Sequence, residues 1–158
     1  MPLPVSGAII ASMDVFRIRG GNTLKGDIYV QGSKNAATKL IAATLLTEEP
    51  CKLYGLPAIR DVEVMLEILE DMGGKVERSG SDVVIQNSAI DPVKLPHDKV
   101  KRLRSSVVLI GPFLARFGEI EMPYPGGDPI GARSLKTHFN AFSDMGYEVN
   151  AGPELFSI

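Results

Sequence analysis

The stretch PYPGGDPIGARS, residues 123–134, sets a carboxylate, Asp128, and a guanidinium, Arg133, on the two limbs of one Gly/Pro-rich loop. It reads either as a surface turn, since Gly, Pro and Asp are ordinary turn residues, or as a segment built to hold something. Two further groups favour the second reading. QGSKNAA (31–37) opens an apolar helix with Ser33 as N-cap and Lys34 directly after it, where positive charge opposes the helix dipole. HDKVKRLRSS (97–106) sets Lys99, Lys101, Arg102 and Arg104 at the start of a second such helix. Cations beside free backbone N–H groups suit an anion such as phosphate. Lys99, Lys101 and Arg102 also have the ordinary reading of a solvated face. Lys34 and Arg104 are the stronger candidates, because a long charged side chain in an apolar helix needs a partner.

A repeat organises the elements that must position these residues. KLIAATLLTEEPCKLYGLP (39–57) and VLIGPFLARFGEIEMPYPG (108–126) share an apolar helix-like run, a short connection and a strand-like segment ending in proline. LEILEDMGGKVE (66–77) matches FNAFSDMGYEVN (139–150), with Asp-Met-Gly in both as a helix end and its terminating glycine. Leu40-Ile41 aligns with Leu109-Ile110 at a shift of 69, and Asp71 with Asp144 at a shift of 73. The second copy therefore carries four extra residues between strand and helix, where PGGDPIGAR lies. A loop lengthened in one copy points to function, since loops carry function on a rigid scaffold.

Each copy reads as helix, strand, helix, strand, with further strands expected at DVFRIRGG (14–21), GDIYVQG (26–32) and SDVVIQ (81–86). NAATKLIAATLL (35–46) and SSVVLIGPFLARF (105–117) are apolar on nearly every face, as expected of helices surrounded by protein, the second kinked at Pro112. DVEVMLEILEDM (61–72) is amphipathic, with Val62, Met65, Leu66 and Leu69 on one face. The pattern predicts an α/β unit with helices inside and sheet outside.

At 158 residues, 44% hydrophobic and 23% charged, the chain has the size and composition of one soluble globular domain. A formal charge of −2 gives no reason to expect nucleic acid or an anionic membrane as partner. No apolar run reaches the span of a transmembrane helix, and the start lacks the basic region of a secretory signal. Residues 1–13 read as a leader, with Met13 available as a second start. The single cysteine, Cys51, fits a reducing cytoplasm and is expected in the core. No His/Cys cluster has metal-ligand spacing, so neither metal nor cofactor is expected.

SKNAA, LRSSVVLIGPFLARFG and PGGDPIGAR together resemble the N-terminal third or so of the UDP-N-acetylglucosamine 1-carboxyvinyltransferases, an enolpyruvyl transferase family. The resemblance is collinear from about Phe16 to Val149. It implies transfer of enolpyruvate from phosphoenolpyruvate to the sugar nucleotide's 3-hydroxyl, a cytoplasmic step of peptidoglycan precursor synthesis. It also implies an inside-out α/β barrel of βαβαββ-type repeats, with about two of the three repeats of one domain present, copies at about 34–90 and 99–158. By motif match, Lys34, Arg104 and Arg133 hold phosphoenolpyruvate, Lys34 also acts in catalysis on the leaving phosphate, and Asn35, Arg104 and Arg133 contact the sugar nucleotide. The family's general acid is usually a cysteine, and Asp128 stands at that position. A carboxylic acid raised by burial could protonate the methylene carbon in its place. Since fosfomycin alkylates the cysteine, Asp128 implies resistance to it.

Two departures accompany the match. The family's uridine-binding RPVDLH appears here as RSLKTH, Arg133, Ser134, Leu135, Lys136, Thr137 and His138, which leaves the nucleotide open. The family chain is also well over twice as long, and the base for the sugar hydroxyl belongs to the rest of it. The expected partners are therefore the two small substrates and a second domain or another chain, with self-association where apolar surface is left uncovered. A non-catalytic module binding a nucleotide sugar or phosphate is the alternative.

Overall fold

A computed structural model describes residues 15, 17–127 and 133–158. The expected leader at 1–13 and Asp128 lie outside the described residues. Two helix-and-sheet halves follow one another. In the first, α1 (Lys34–Ala43) runs into a 3-10 turn (Thr44–Leu46), then β1 (Cys51–Leu53), α2 (Arg60–Asp71), β2 (Lys75–Ser79) and β3 (Asp82–Gln86). After a linking α3 (His97–Arg102), the second half has a 3-10 segment (Arg104–Leu109), α4 (Ile110–Phe117), β4 (Glu121–Pro123), α5 (Lys136–Asp144), β5 (Asn150–Ala151) and β6 (Leu155–Ser157).

Both halves build a three-stranded antiparallel sheet, ordered β1-β3-β2 and β4-β6-β5. The registers correspond pair by pair. Leu53↔Val83 in the first sheet stands where Met122↔Phe156 stands in the second, and Glu77↔Val84 stands where Asn150↔Ser157 stands. A strand register is fixed by which face is buried, so the match reflects equivalent cores. β4 follows the shift of 69 and β5 that of 73, so the extra residues fall in the β4–α5 connection.

The helix ends also correspond. Gly73 and Gly146 both adopt positive φ just past α2 and α5. Gly74 N–H donates to the Leu69 carbonyl, as Tyr147 N–H donates to that of Phe142. Gly73 and Gly146 themselves donate to Glu70 and Ser143. This double closure satisfies the last carbonyls and demands a residue that tolerates left-handed backbone, which is glycine. In the second half Phe142 and Tyr147 seal it with an edge-on ring contact at 6.1 Å. The core collects Ile41, Leu45, Met65, Ile68, Ile85, Leu109, Ile110, Phe113 and Phe156, all fully buried. Arg116 of α4 ties the halves: it donates to the Leu45 and Asn87 carbonyls at 2.9 and 2.8 Å.

Several expectations are corrected. Among the described residues, 17–21 and 26–32 form no strand; Ile18, Ile28, Tyr29 and Val30 are exposed, because no described edge pairs with them. α1 buries one face only, Ala37, Thr38, Ile41 and Ala42, and leaves Leu40 exposed, as is Leu46 in the 3-10 turn that follows. Lys99, Lys101 and Arg102 do not open the second apolar helix. They occupy the last turn of α3, where a cation favours the dipole, and the chain breaks at Leu103 before the next helix starts. Pro112 falls in the first turn of α4, where its missing N–H costs little; the helix changes from 3-10 to α just before it. Cys51 is half-buried at a strand end rather than in the core. SDVVIQ forms β3 as expected, and α2 buries Val62, Met65, Leu66 and Leu69 with Val64 and Ile68 added.

Candidate functional site

The lengthened connection is anchored by glycines at its first limb. A Cβ on Gly126 would collide with the carbonyl of Lys101 at the end of α3. Gly127, at φ +104, would set a Cβ 3.1 Å from that of Arg104. The Gly-Gly pair therefore lets two backbones touch.

Arg104 joins the two limbs. From the first position of its 3-10 segment it donates to the Pro125 carbonyl at 3.4 Å and to the Arg133 carbonyl at 2.7 Å. Below this bridge a cavity of about 580 Å³ opens. Its wall includes Arg104, Gly127, Arg133, Ser134, Leu135 and Lys136, with Tyr124 and Phe139 as aromatic lining. Tyr124, Phe139 and Phe156 form a ring cluster with centroids 5.0–6.4 Å apart, and Tyr124 Oη donates to the Gly152 carbonyl. Leu135 is buried at the N-cap of α5, and Ser134 Oγ accepts from Lys136 N–H.

Of the residues singled out from sequence, the cavity gathers Arg104, Arg133, Ser134, Leu135 and Lys136. Lys34 and Asn35 stand on the first turn of α1, off that wall; Thr137 and His138 are exposed on α5, also off it. Ser33 caps α1 as expected, accepting from Ala36 N–H. Lys34 has a partner the sequence reading missed: Asp61 at the start of α2, 2.9 Å away. Tyr124, Phe139 and Asn140 were missed too; the aromatic pair could have been found from the apolar spacing of β4 and α5.

The Lys99 charge is already satisfied. Its Nζ lies 2.7 Å from Asp71 and 3.5 Å from Glu67. The hydrogen bond to Asp71 holds the ammonium above the ordinary lysine value against partial desolvation, and the nearby carboxylate charges add to it. Lys99 thus pins α3 to α2 and is not free for a ligand.

A second, smaller cavity of about 390 Å³ lies in the first half. Under the two shifts its wall corresponds to that of the first. Gly55, Leu56, Pro57 and Ala58 take the places of Tyr124, Pro125, Gly126 and Gly127; Val62, Glu63 and Leu66 take those of Leu135, Lys136 and Phe139. Its charged groups are Glu63 and Arg78, 3.7 Å apart. Among the described residues no group of His, Cys, Asp and Glu could hold a metal ion, and no helix is long and apolar enough to cross a membrane.

Comparison with known proteins bears on what such a site binds. The family described as EPSP synthase (3-phosphoshikimate 1-carboxyvinyltransferase) matches residues 18–156. UDP-N-acetylglucosamine 1-carboxyvinyltransferase of Psychrobacter arcticus is 40% identical over 137 residues, 87% of this chain and 32% of that protein. UDP-N-acetylglucosamine 1-carboxyvinyltransferase 1 of Staphylococcus haemolyticus is 40% identical over 139 residues, 88% of this chain and 33% of that protein. The chain spans about a third of the length of these curated relatives. Among solved structures, the enolpyruvyl transferase NikO from Streptomyces tendae matches with a TM-score of 0.73 at 22% identity, over 87% of this chain and 30% of that one. That likeness is one of fold.

Proposed function

The chain belongs to the EPSP synthase (3-phosphoshikimate 1-carboxyvinyltransferase) family, and we propose that it carries the substrate-holding loop of an enolpyruvyl transferase acting on phosphoenolpyruvate and UDP-N-acetylglucosamine. The observation that carries this reading is the cationic cavity where Arg104 spans the lengthened loop. The names of the 40% identical relatives support the choice of sugar nucleotide. In fold terms, the two halves with matching sheet order are two of the three repeats of an inside-out α/β barrel domain, copies at about 34–90 and 99–158.

The proposed chemistry is an addition followed by an elimination. The sugar's 3-hydroxyl oxygen attacks C2 of phosphoenolpyruvate while Asp128 gives its proton to the methylene carbon C3. The tetrahedral adduct then loses a proton from C3 and the C2–O bond to phosphate breaks, releasing inorganic phosphate. Arg104 and Arg133 hold the phosphate and carboxylate charges, and Lys34, steadied by Asp61, stabilises the departing phosphate. Asn35 contacts the sugar, and Ser134 to His138 line the nucleotide's approach. The base for the hydroxyl comes from outside this chain's matched third of its relatives.

A second reading, a non-catalytic binding module, is favoured by that coverage of about a third. Phosphate release from the two substrates, measured with the chain fused to the remaining part of a 40% identical relative, with Asp128 intact and as Asp128→Ala, tests the first. Release lost in the variant supports it, and release indifferent to the substitution overturns it. Calorimetric binding of UDP-N-acetylglucosamine without release selects the second reading, and absence of binding overturns both. Treatment with fosfomycin is expected to leave the chain's mass unchanged.

A further inference from the structure

The two apolar helices carry apolar residues on the side turned away from the core as well. α1 and the turn after it bury Ala37, Thr38, Ile41, Ala42 and Leu45, and leave Ala36, Leu40, Ala43 and Leu46 outside, with Leu40 50% and Leu46 57% exposed. Helical spacing sets Ala36, Leu40 and Ala43 along one line, opposite the buried face. The equivalent stretch of the second half exposes Gly111 and Ala115, with Val108 and Pro112 half-buried beside them. Lys39 is the one charged residue between 36 and 46, and its Nζ turns back along the helix to donate to the Asn35 carbonyl at 3.2 Å. Residues 105–115 carry no charge. A surface helix ordinarily turns a polar side to water, and an uncovered apolar face marks an interaction site.

Gly111 is an independent sign of the same thing. A glycine inside a helix is destabilising relative to alanine, and a Cβ on Gly111 would meet nothing within 4 Å. Among the described residues nothing needs the glycine there, whereas a helix approaching closely from outside does. What such faces pack on is visible within the fold. α1 lies against the 3-10 segment that leads into α4, and α4 lies against the turn that ends α1. The two stretches are equivalent under the shift of 69, so this contact joins one copy of the repeat to the next, start beside start and end beside end. The uncovered faces continue that interface on the same two helices. They are also complementary in shape, small at Gly111 and Ala115 and large at Leu40 and Leu46.

We propose that this apolar face docks a second copy of the chain, α4 of each copy against α1 of the other. The contact repeats between copies the one that joins the halves within a copy. Because each copy brings both helices, it closes with two copies into a twofold ring of four halves. The docking goes beyond the proposed function and needs no ligand in either cavity.

Sedimentation velocity over a range of concentrations tests it on the wild-type chain, Leu40→Glu, Gly111→Leu and Val93→Glu. Val93 is 91% exposed in the 3-10 turn Pro92–Lys94, outside the two helices, and serves as the control. The wild type is expected to form a dimer. Its dissociation constant is expected to rise at least about tenfold in Leu40→Glu, which buries a charge in an apolar contact, and in Gly111→Leu, which fills the close approach. Val93→Glu is expected to leave it unchanged. At concentrations where every variant is monomeric, Gly111→Leu is expected to melt no lower than the wild type, since the chain's own packing leaves room at that Cβ. A wild type that stays monomeric throughout, or a dimer loosened as much by Val93→Glu as by the other two, overturns the proposal. A monomer that instead captures the remaining part of a 40% identical relative through Leu40 overturns it too, and gives the face to that part.

Discussion

The first and second halves follow the same path through strand, connection and helix, yet they cross the preceding segment differently. In the first, Gly32 makes room for the Gly55 carbonyl and the ring of Pro57. In the second, the glycine has changed sides: Gly126, at the place of Pro57, makes room for the Lys101 carbonyl at the place of Gly32. A close backbone approach needs one partner without a Cβ, and either partner can supply it. Putting the glycine in the connection leaves Lys101 free to carry a side chain and makes the loop itself conform to α3. The first half keeps its connection short, with Ile59 N–H donating back to the Pro57 carbonyl, and closes its cavity's charges with Glu63–Arg78. The second lengthens the connection, spans it with Arg104 and leaves its cations facing a cavity. One scaffold thus serves once as packing and once as a candidate site.

Substitutions can break or sharpen this contrast, and the largest effect is expected where the halves join. Arg116→Ala removes donors from the Leu45 and Asn87 carbonyls, which the fold keeps partly buried, and should cost about 3 kcal/mol of stability. Urea unfolding followed by circular dichroism should register it as one shifted transition. Two separated transitions would mean that the halves fold independently.

The terminating glycines give a graded comparison. A Cβ on Gly73 would lie 2.6 Å from the Ala89 carbonyl oxygen, whereas one on Gly146 would meet nothing within 4 Å. Both sit at positive φ, so Gly146→Ala should cost about 1 kcal/mol from backbone strain alone. Gly73→Ala should cost about 2–3 kcal/mol because the collision adds to it. Equal costs, measured by thermal melting, would remove the difference in packing between the two helix ends.

The smallest effect concerns Lys99, which joins α3 to α2. Its folded-state value lies above the ordinary lysine value, so its contribution is fully present below about pH 10.4 and lost as pH rises through the raised value. The pair is partly solvated, and the contribution should be about 0.5–1 kcal/mol. Urea midpoints between pH 9 and pH 11.5 should fall further in the wild type than in Lys99→Met. Parallel falls would mean the pairing with Asp71 and Glu67 contributes nothing to the fold.

Much of this organisation was legible in the sequence because it is written in local chemistry. Asp-Met-Gly marks both helix ends, the unequal shifts of 69 and 73 locate the lengthened loop, and Ser33 announces the start of α1. The failures came where a feature depends on a remote neighbour. IYV at 28–30 has strand composition, but a strand exists only where an edge is available to pair with it. The basic run 99–102 was read as a helix start because the break at Leu103 has no Gly or Pro to mark it. On the candidate site, Arg104 and Arg133 were found by their charge, while the Lys34–Asp61 pair was missed because its partners lie on different helices.

The central claim is that the second half, and not its structural twin, receives the ligand. Amide chemical shifts of the isotopically labelled chain during titration with UDP-N-acetylglucosamine test it directly. The account predicts saturable shifts at Asn35, Gly126, Gly127 and Arg133 to Asn140, with Leu56, Ala58 and Glu63 to Glu67 of the first-half cavity unmoved. Shifts confined to the first-half cavity, or no saturable shift in either, would contradict it.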